Sequence, residues 1–387
     1  MSGRISAPGL AWLQLRREKV RLAVALGGVA FAVILIFMQL GFMDALFRSA
    51  VNVHEHLLAD LVIVNPNYNV LAYPTFFSRR RLWQARAVDG VRAVSPIYTG
   101  VTQWKNPATG RTRSLFVLGV DPARPALDIP GLGDGLLRIR YPDVAVYDRF
   151  SRPEFGPVAA MYDAGREVVT EANHHQLTVK GLYTLGTSFG VDGSIVTSDL
   201  TFHHIFPEYP PGAIGIGLIR LRPGADPDAT QRALAAALPR DVRVLTMARF
   251  TAQERTYWAG ATPIGFVFMF GVVMGLVVGM IIVYQILFAD ITDHLSEYAT
   301  LKAMGCTNRY LSAVVLMEAS ILSLAGYVPG MVVSWRLYDL TREATKLPMM
   351  LTPARAGLVL GLGTLMCWGS ALIAMRKLRS ADPAEVF

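Results

Sequence analysis

Cysteine is nearly missing: the chain of 387 residues has two, Cys306 and Cys367. That excludes a disulfide framework and any four-cysteine zinc module. Charge is scarce too, at 17% of residues against 52% hydrophobic, where a soluble domain uses about a quarter. This balance disfavours an ordinary cytosolic enzyme. It also excludes a disordered chain, which needs high charge and low hydrophobicity. The signatures of phosphate-binding and hydrolytic chemistry are absent: no G-x-x-x-x-G-K-[ST], no G-x-S-x-G, no H-E-x-x-H and no C-x-x-C. Nothing here cradles a nucleotide in Walker fashion, and the chain reads as not an enzyme. The net charge is +8. In so apolar a chain, basic residues sit beside membranes rather than on nucleic acid.

What the chain has in quantity is apolar length. A bilayer core takes about 20 mostly apolar residues as helix, and four stretches qualify: Leu22–Met43, with Gln39 its only strongly polar residue; Ile264–Ala289, with no charge; roughly Leu311–Val333, carrying Glu318; and roughly Ala356–Met375. Helices are expected, since a helix satisfies its own backbone in lipid. The first stretch is too long for a signal-peptide core and lacks a following Ala-x-Ala, so it reads as a retained span. The expected fold is an α-helical membrane protein of four transmembrane helices, with a large mixed α+β domain inserted between the first two.

The expected division runs as follows: a cytoplasmic segment 1–21, span 22–43, stalks and periplasmic domain 44–262, span 263–289, a cytoplasmic coupling helix 290–310, span 311–335, a periplasmic loop 336–355, span 356–375 and a cytoplasmic tail 376–387. Orientation follows the basic residues flanking the spans. Arg4, Arg16, Arg17, Lys19 and Arg21 precede the first span, Arg376, Lys377 and Arg379 follow the fourth, and Lys302 and Arg309 lie between the second and third. These place both termini in the cytoplasm. Arg336, Arg342, Lys346 and Arg355, in the loop assigned outside, run against the rule.

Residues 45–260 form a 216-residue exported segment without cysteine, held by its core alone. Strands are expected at Leu61–Asn65, Ser95–Trp104, Ser114–Val120, Glu167–Thr170, Leu177–Leu185, Gly215–Leu221 and Val242–Thr246. The second and third of these form a hairpin across the breakers in Lys105–Arg113. Asp226–Leu238 reads as a helix closed by Pro239, and Asp121–Gly135 as a loop. Phe47, Ala50, Val51, His54, Leu57, Leu58 and Leu61 recur at helical spacing, as does Met247–Trp258, so two helical stalks are expected.

Five features bear on function. Gly271, Gly275 and Gly279 share one helix face and permit close helix packing; Gly326/Gly330 and Gly357/Gly361 are weaker versions. Adjacent histidines on a strand point to opposite faces, so His174-His175 and His203-His204 would offer one metal ligand each. The bland reading, surface or structural histidines and no metal, is preferred. Arg79-Arg80-Arg81 reads as a solvated loop, with anionic head groups or an acidic partner as the sharper alternative. Glu318 lies near the cytoplasmic end of its span and reads as structural. In the segment Asp290–Gly305, Asp290, Asp293 and Glu297 come early and Lys302 late, as a helix dipole prefers, with Gly305 at the cap. Tyr298, Leu301 and Met304 line one face at i, i+3 spacing, suited to docking in a groove on a cytoplasmic partner.

Glu297–Gly305 (EYATLKAMG) resembles the loop signature of the FtsX-like, MacB-type permeases of ABC transporters. Met317–Gly330 (MEASILSLAGYVPG) and the tail Ala381–Phe387 (ADPAEVF) are similar to the same family. Leu10–Phe47, Leu58–Pro66 and Val91–Arg111 resemble the DevC-type permeases of glycolipid exporters, and the likeness is weakest across Asp121–Tyr162. The resemblance implies a homodimer in the bacterial inner membrane that recruits cytoplasmic ABC ATPase subunits. Glu297, Tyr298, Leu301, Lys302, Met304 and Gly305 would form the coupling helix, and Asp382, Pro383 and Ala384 a second contact. It implies no cofactor in this chain, ATP and Mg being bound by the ATPase. It further implies a periplasmic membrane-fusion adaptor, a TolC-like outer-membrane channel, a lipid or amphiphile cargo, and no nucleic acid.

Three alternatives stand beside this reading. One is lipoprotein release or antibiotic or peptide efflux within the same superfamily. Another is a regulator of a cell-wall hydrolase, against which the 216-residue outer segment argues. The third is a secondary transporter using Glu318.

Overall fold

The computed structural model describes residues 19–73, 75–188, 190–261, 263–296, 300, 304, 307–345 and 347–380. The chain divides into two compact units: Met1–Ala45, Ile264–Thr345 and Met349–Phe387 form one, Leu46–Pro263 with Lys346–Pro348 the other. In chain order the helices are α1 (Lys19–Ala50), α2 (Asn52–Glu55), α3 (Arg80–Arg86), α4 (Gly133–Arg138), α5 (Val158–Asp163), α6 (Asp199–Ile205), α7 (Pro227–Ala237), α8 (Met247–Thr256), α9 (Pro263–Asp293), α10 (Asn308–Thr345) and α11 (Pro353–Ser380). The strands are β1 (Leu61–Val64), β2 (Phe77–Ser78), β3 (Val91–Lys105), β4 (Thr112–Val120), β5 (Val144–Asp148), β6 (Val168–Ala172), β7 (His175–Tyr183), β8 (Ser194–Ser198), β9 (Ala213–Ile214), β10 (Ile216–Leu221) and β11 (Arg243–Thr246).

In the helical unit, α1, α9, α10 and α11 are each long and apolar enough to cross a membrane, by length and composition. Along α1, Ala25, Val29, Ala32, Val33, Ile36, Phe37 and Leu40 are buried, one stripe at the helical period. Small residues on the neighbours let them approach it. A Cβ on Gly326 of α10 would lie 2.6 Å from the Val29 side chain, and one on Gly330 2.8 Å from that of Val33. Polar side chains tie the same helices internally: Tyr327 Oη donates to the Ala356 carbonyl at 2.9 Å, Trp368 Nε1 to Ser320 Oγ at 2.9 Å, and Ser370 Oγ to the Met280 carbonyl at 2.8 Å. In an apolar surrounding a polar group must find such a partner.

The other unit is built on a nine-stranded sheet in the order β11-β1-β10-β3-β4-β8-β5-β7-β6. The pairs β4–β8 and β5–β7 are parallel and the others antiparallel. At 15 residues β3 is long enough to serve two neighbours, β10 through its first half and β4 through its second. A further bridge, Trp104 to Ala172, brings β6 back onto β3. Six strands thus close on themselves around Trp104, Leu115, Val117, Tyr147, Ile195 and their neighbours. Both faces of the sheet are covered: Leu61 and Ile63 enter one cluster, Val62 and Val64 the other, as the period of two in a strand requires.

The 95–104 and 114–120 hairpin, the strands at 61, 167, 177, 215 and 242 and the 226–238 helix all form. At the last, the Asp226 side chain caps the N–H groups of Asp228 and Ala229. Two expectations need correction. The stalk after the first apolar stretch is not one helix to Leu61: α1 runs unbroken to Ala50, α2 adds a single turn, and Leu61 opens β1. The arginine run is not a loop: Arg80 and Arg81 begin α3, and Arg81 pairs with Asp241 at 2.7 Å.

Asp148, at the end of β5, is buried. One carboxyl oxygen accepts the N–H groups of Phe150 and Leu185, the other that of Gly186 at 3.0 Å. Burial nevertheless raises its pKa above the ordinary aspartate range, the backbone donors only partly offsetting it. With the folded pKa above the unfolded one, wild-type stability falls as pH rises from the unfolded value, about 3.9, through the folded one. Asp148→Asn keeps one acceptor oxygen and loses that titration. Thermal melts between pH 4 and 8 are therefore expected to show the variant less stable at low pH by about 1 kcal/mol, with the deficit shrinking as pH rises. A deficit that grew with pH would contradict this assignment.

Candidate functional site

The loop between the second and third apolar helices carries most of the sequence-derived site. Glu297, Tyr298, Leu301, Lys302, Gly305, Asp382 and Pro383 lie outside the described residues. Met304 is described and exposed, its N–H donating to the Thr300 carbonyl at 3.0 Å.

The base of this loop differs from expectation. Asp290 and Asp293 do not open a separate helix; they close α9. Acids at a helix C-terminus oppose its dipole, and each has a compensating cation or imidazole. Arg21 of α1 donates to Asp293 at 2.6 Å. His294 Nδ1 lies 3.6 Å from Asp290 Oδ1 and 3.0 Å from its carbonyl. Glu318 of α10 is 1% exposed and faces Asp290. Two carboxyl groups, one from each of two helices, and the imidazole just past the end of α9 meet here. Length and hydropathy gave no hint of this pairing, because Asp290 sits just past the charge-free stretch.

The three glycines of α9 lie against α1 in four-residue steps. A Cβ on Gly271 would strike Gln39, one on Gly275 would lie 3.4 Å from Ile36, and one on Gly279 would lie 2.6 Å from Ala32 and strike Met366 of α11. Gln39, the polar exception in the first stretch, thus covers a glycine. Gly357 and Gly361 have nothing within 4 Å.

Two cations counted against the charge rule are paired. Arg355 is buried and donates to Asp44 and, at 2.6 Å, to the Met350 carbonyl; Arg342 reaches Asp339 at 2.9 Å.

In the sheet-bearing unit, a cleft of about 670 Å³ runs between α2 and α8, lined by His54, Glu55, Leu57, Met247, Thr251 and Arg255 among others. Beneath it lies a buried polar cluster. Glu254 Oε2 is 3.3 Å from His54 Nε2, accepts the Leu71 N–H at 3.0 Å and is 3.4 Å from Tyr68 Oη, while Oε1 accepts Trp258 Nε1 at 3.0 Å. Burial first, and Glu254 beside it, push the Tyr68 hydroxyl well above its ordinary range.

The histidine pairs do not both lie on strands. Asn173 and His174 form the turn between β6 and β7, with φ of 52° and 62°, the left-handed pair a two-residue hairpin needs. His203 and His204 end α6. One histidine of each pair, His175 and His204, converges on Asp143, a residue no sequence signal singled out. The hydrogen bond from His175 holds Asp143 below the ordinary carboxylate range, with burial opposing and His204 reinforcing.

The family described as MacB-like periplasmic core domain matches residues 22–237, and that described as FtsX-like permease C-terminal matches residues 269–383. No curated protein matches the chain. Among solved structures, the periplasmic region of MacB from Actinobacillus actinomycetemcomitans is similar at 10% identity and TM-score 0.36, over 53% of this chain and 96% of that one. The extracellular domain of the noncanonic ABC-type transporter YknZ from Gram-positive bacteria is similar at 11% identity and TM-score 0.34, over 49% and 99%. A domain of a putative permease protein from Porphyromonas gingivalis is similar at 11% identity and TM-score 0.31, over 49% and 89%.

Proposed function

Because the chain belongs to the FtsX-like permeases with a MacB-like periplasmic core, whose members are non-catalytic ABC transporter subunits working with a cytoplasmic ATPase, we propose that it is the permease of an ABC-type exporter. ATP use in the separate subunit drives a conformational change in the outer domain, which extrudes a lipid or other amphiphile. The observation that carries this reading is the unit division: the stretch Leu46–Pro263, joined only by Lys346–Pro348, forms a compact unit of its own, and in the sequence it lies between two long apolar helices. A chain so built transmits motion, and the absence of Walker motifs requires the energy to come from another chain.

The coupling segment is Glu297–Gly305, with Asp382 and Pro383 as a second contact. The base of α9 supports this role. Asp293 is clamped to Arg21 of α1, and Asp290 faces Glu318 of α10, so a push on the loop is passed to two helices at once. The cytoplasmic placement of both termini, in a bacterial inner membrane, gains support from the pairing of Arg342 and Arg355, which leaves the loop before α11 less positive than its sequence. Within this proposal the permease is a homodimer working with a periplasmic adaptor and an outer-membrane channel, and the N-terminal likeness to DevC-type permeases points to a glycolipid-like cargo.

Charge reversal at Glu297 and Lys302 combined with Gly305→Pro is expected to abolish co-purification with the ATPase subunit while leaving the permease monodisperse in detergent. Intact assembly in that variant would count heavily against the coupling role.

A further inference from the structure

We propose that Asp143, His175 and His204 form a binding site for a zinc-class divalent metal ion on the outer domain. Topology brings them to one edge of the sheet. β5 and β7 are parallel, Val144 at the start of β5 pairing with Thr178 three residues into β7, while β8 runs antiparallel to β5 and ends where β5 begins. Asp143 immediately precedes β5, His175 opens β7, and α6, which carries His204, leaves β8 directly. Asp143 Oδ1 lies 2.7 Å from His175 Nε2 and 3.1 Å from His204 Nδ1, and all three donor atoms lie within 4.8 Å of one another. Zinc with bonds of about 2.0–2.1 Å in tetrahedral array sets its ligand atoms about 3.3 Å apart, so small side-chain rotations admit the ion.

The framework around the three side chains holds independently of any ion. Asp143 has φ of 60° and is fixed on both sides, its N–H donating to Thr201 Oγ1 at 3.0 Å and its carbonyl accepting the Thr178 N–H at 2.9 Å. Asn173 Nδ2 donates to the Ile205 carbonyl at 2.6 Å, tying the hairpin turn to the end of α6. Two imidazoles and one carboxylate favour zinc or its late first-row neighbours over calcium or magnesium, which prefer all-oxygen sets. Three ligands leave a fourth position to water or to a donor from outside. The ion would fasten α6 to the mouths of β5 and β7.

The test uses the full chain in detergent, stripped with chelator and titrated with ZnCl2 in a calorimeter. One ion per chain is expected, with affinity lowered more than about tenfold in His175→Gln and in His204→Gln, retained in His174→Gln and His203→Gln, and undisturbed by millimolar Mg2+. Equal binding by the wild type and the His175→Gln/His204→Gln double variant would overturn the site, as would no stoichiometric binding. A second readout needs no variant: Zn2+, but not Mg2+, is expected to shield His204 from acylation by diethyl pyrocarbonate, read by mass spectrometry. Unchanged His204 reactivity would equally overturn the proposal.

Discussion

Glu254→Ala is expected to destabilise the sheet-bearing domain by about 3–5 kcal/mol, the summed cost of leaving three buried hydrogen-bond donors without their acceptor. Glu254 is 2% exposed and His54 1%. Its two oxygens accept from three groups, the Tyr68 hydroxyl, the Leu71 N–H and the Trp258 indole N–H, and Oε2 lies 3.3 Å from His54 Nε2. Truncation strands these three donors in a region packed by Phe250, whose ring centroid is 4.6 Å from that of His54 and 5.3 Å from that of Tyr68. Each stranded buried group costs about 1–3 kcal/mol, less where water enters the new cavity. Glu254→Gln keeps the volume and one acceptor oxygen, so a smaller loss of about 1–2 kcal/mol is expected. Chemical denaturation followed by tryptophan fluorescence measures both. A Glu254→Ala loss below that of Glu254→Gln would show that the network does not hold α8 to the loop at Tyr68–Leu71.

Gly279→Leu is expected to separate α9 from α1 and to lower stability in detergent by on the order of 3 kcal/mol, at the upper end of overpacking costs. The reason is the neighbour. Ala32 Cβ, 2.6 Å from where a Cβ on Gly279 would sit, is fixed to its own backbone and has no rotamer to escape into. Gly279→Ala should therefore already be costly, whereas Gly357→Leu, with open space around it, should be nearly silent. The three variants together, compared by thermal unfolding and size-exclusion profile, separate packing from a general intolerance of larger side chains. A Gly357→Leu protein as damaged as Gly279→Leu would remove the packing account.

The long apolar helices were legible because a run of twenty apolar residues has few other meanings, and the β3–β4 hairpin because Asn-Pro and Thr-Gly punctuate it. β5 and β8 were not. Each is five residues, all buried, so neither shows the polar alternation that marks a half-exposed strand. Missing β5 and β8 hid the neighbourhood of Asp143, which sits in the stretch where the family likeness is weakest. The signal for α6 was present: Ser198 both ends β8 and accepts the Thr201 N–H as a cap, a helix start that turns His203 and His204 from strand neighbours into residues of one helical turn. The Asp290–Glu318 contact joins two helices and leaves no trace in either one's periodicity.

The return of β6 to β3 has an outcome beyond the core it encloses. A sheet folded back on itself spends its margins, and the large sheet keeps β11 as an open flank. That flank is four residues long, and the Gln231 side chain occupies the Val244 carbonyl at 2.8 Å. Little remains for a foreign strand to grip. The domain is thereby protected from ribbon-like self-association through its large sheet.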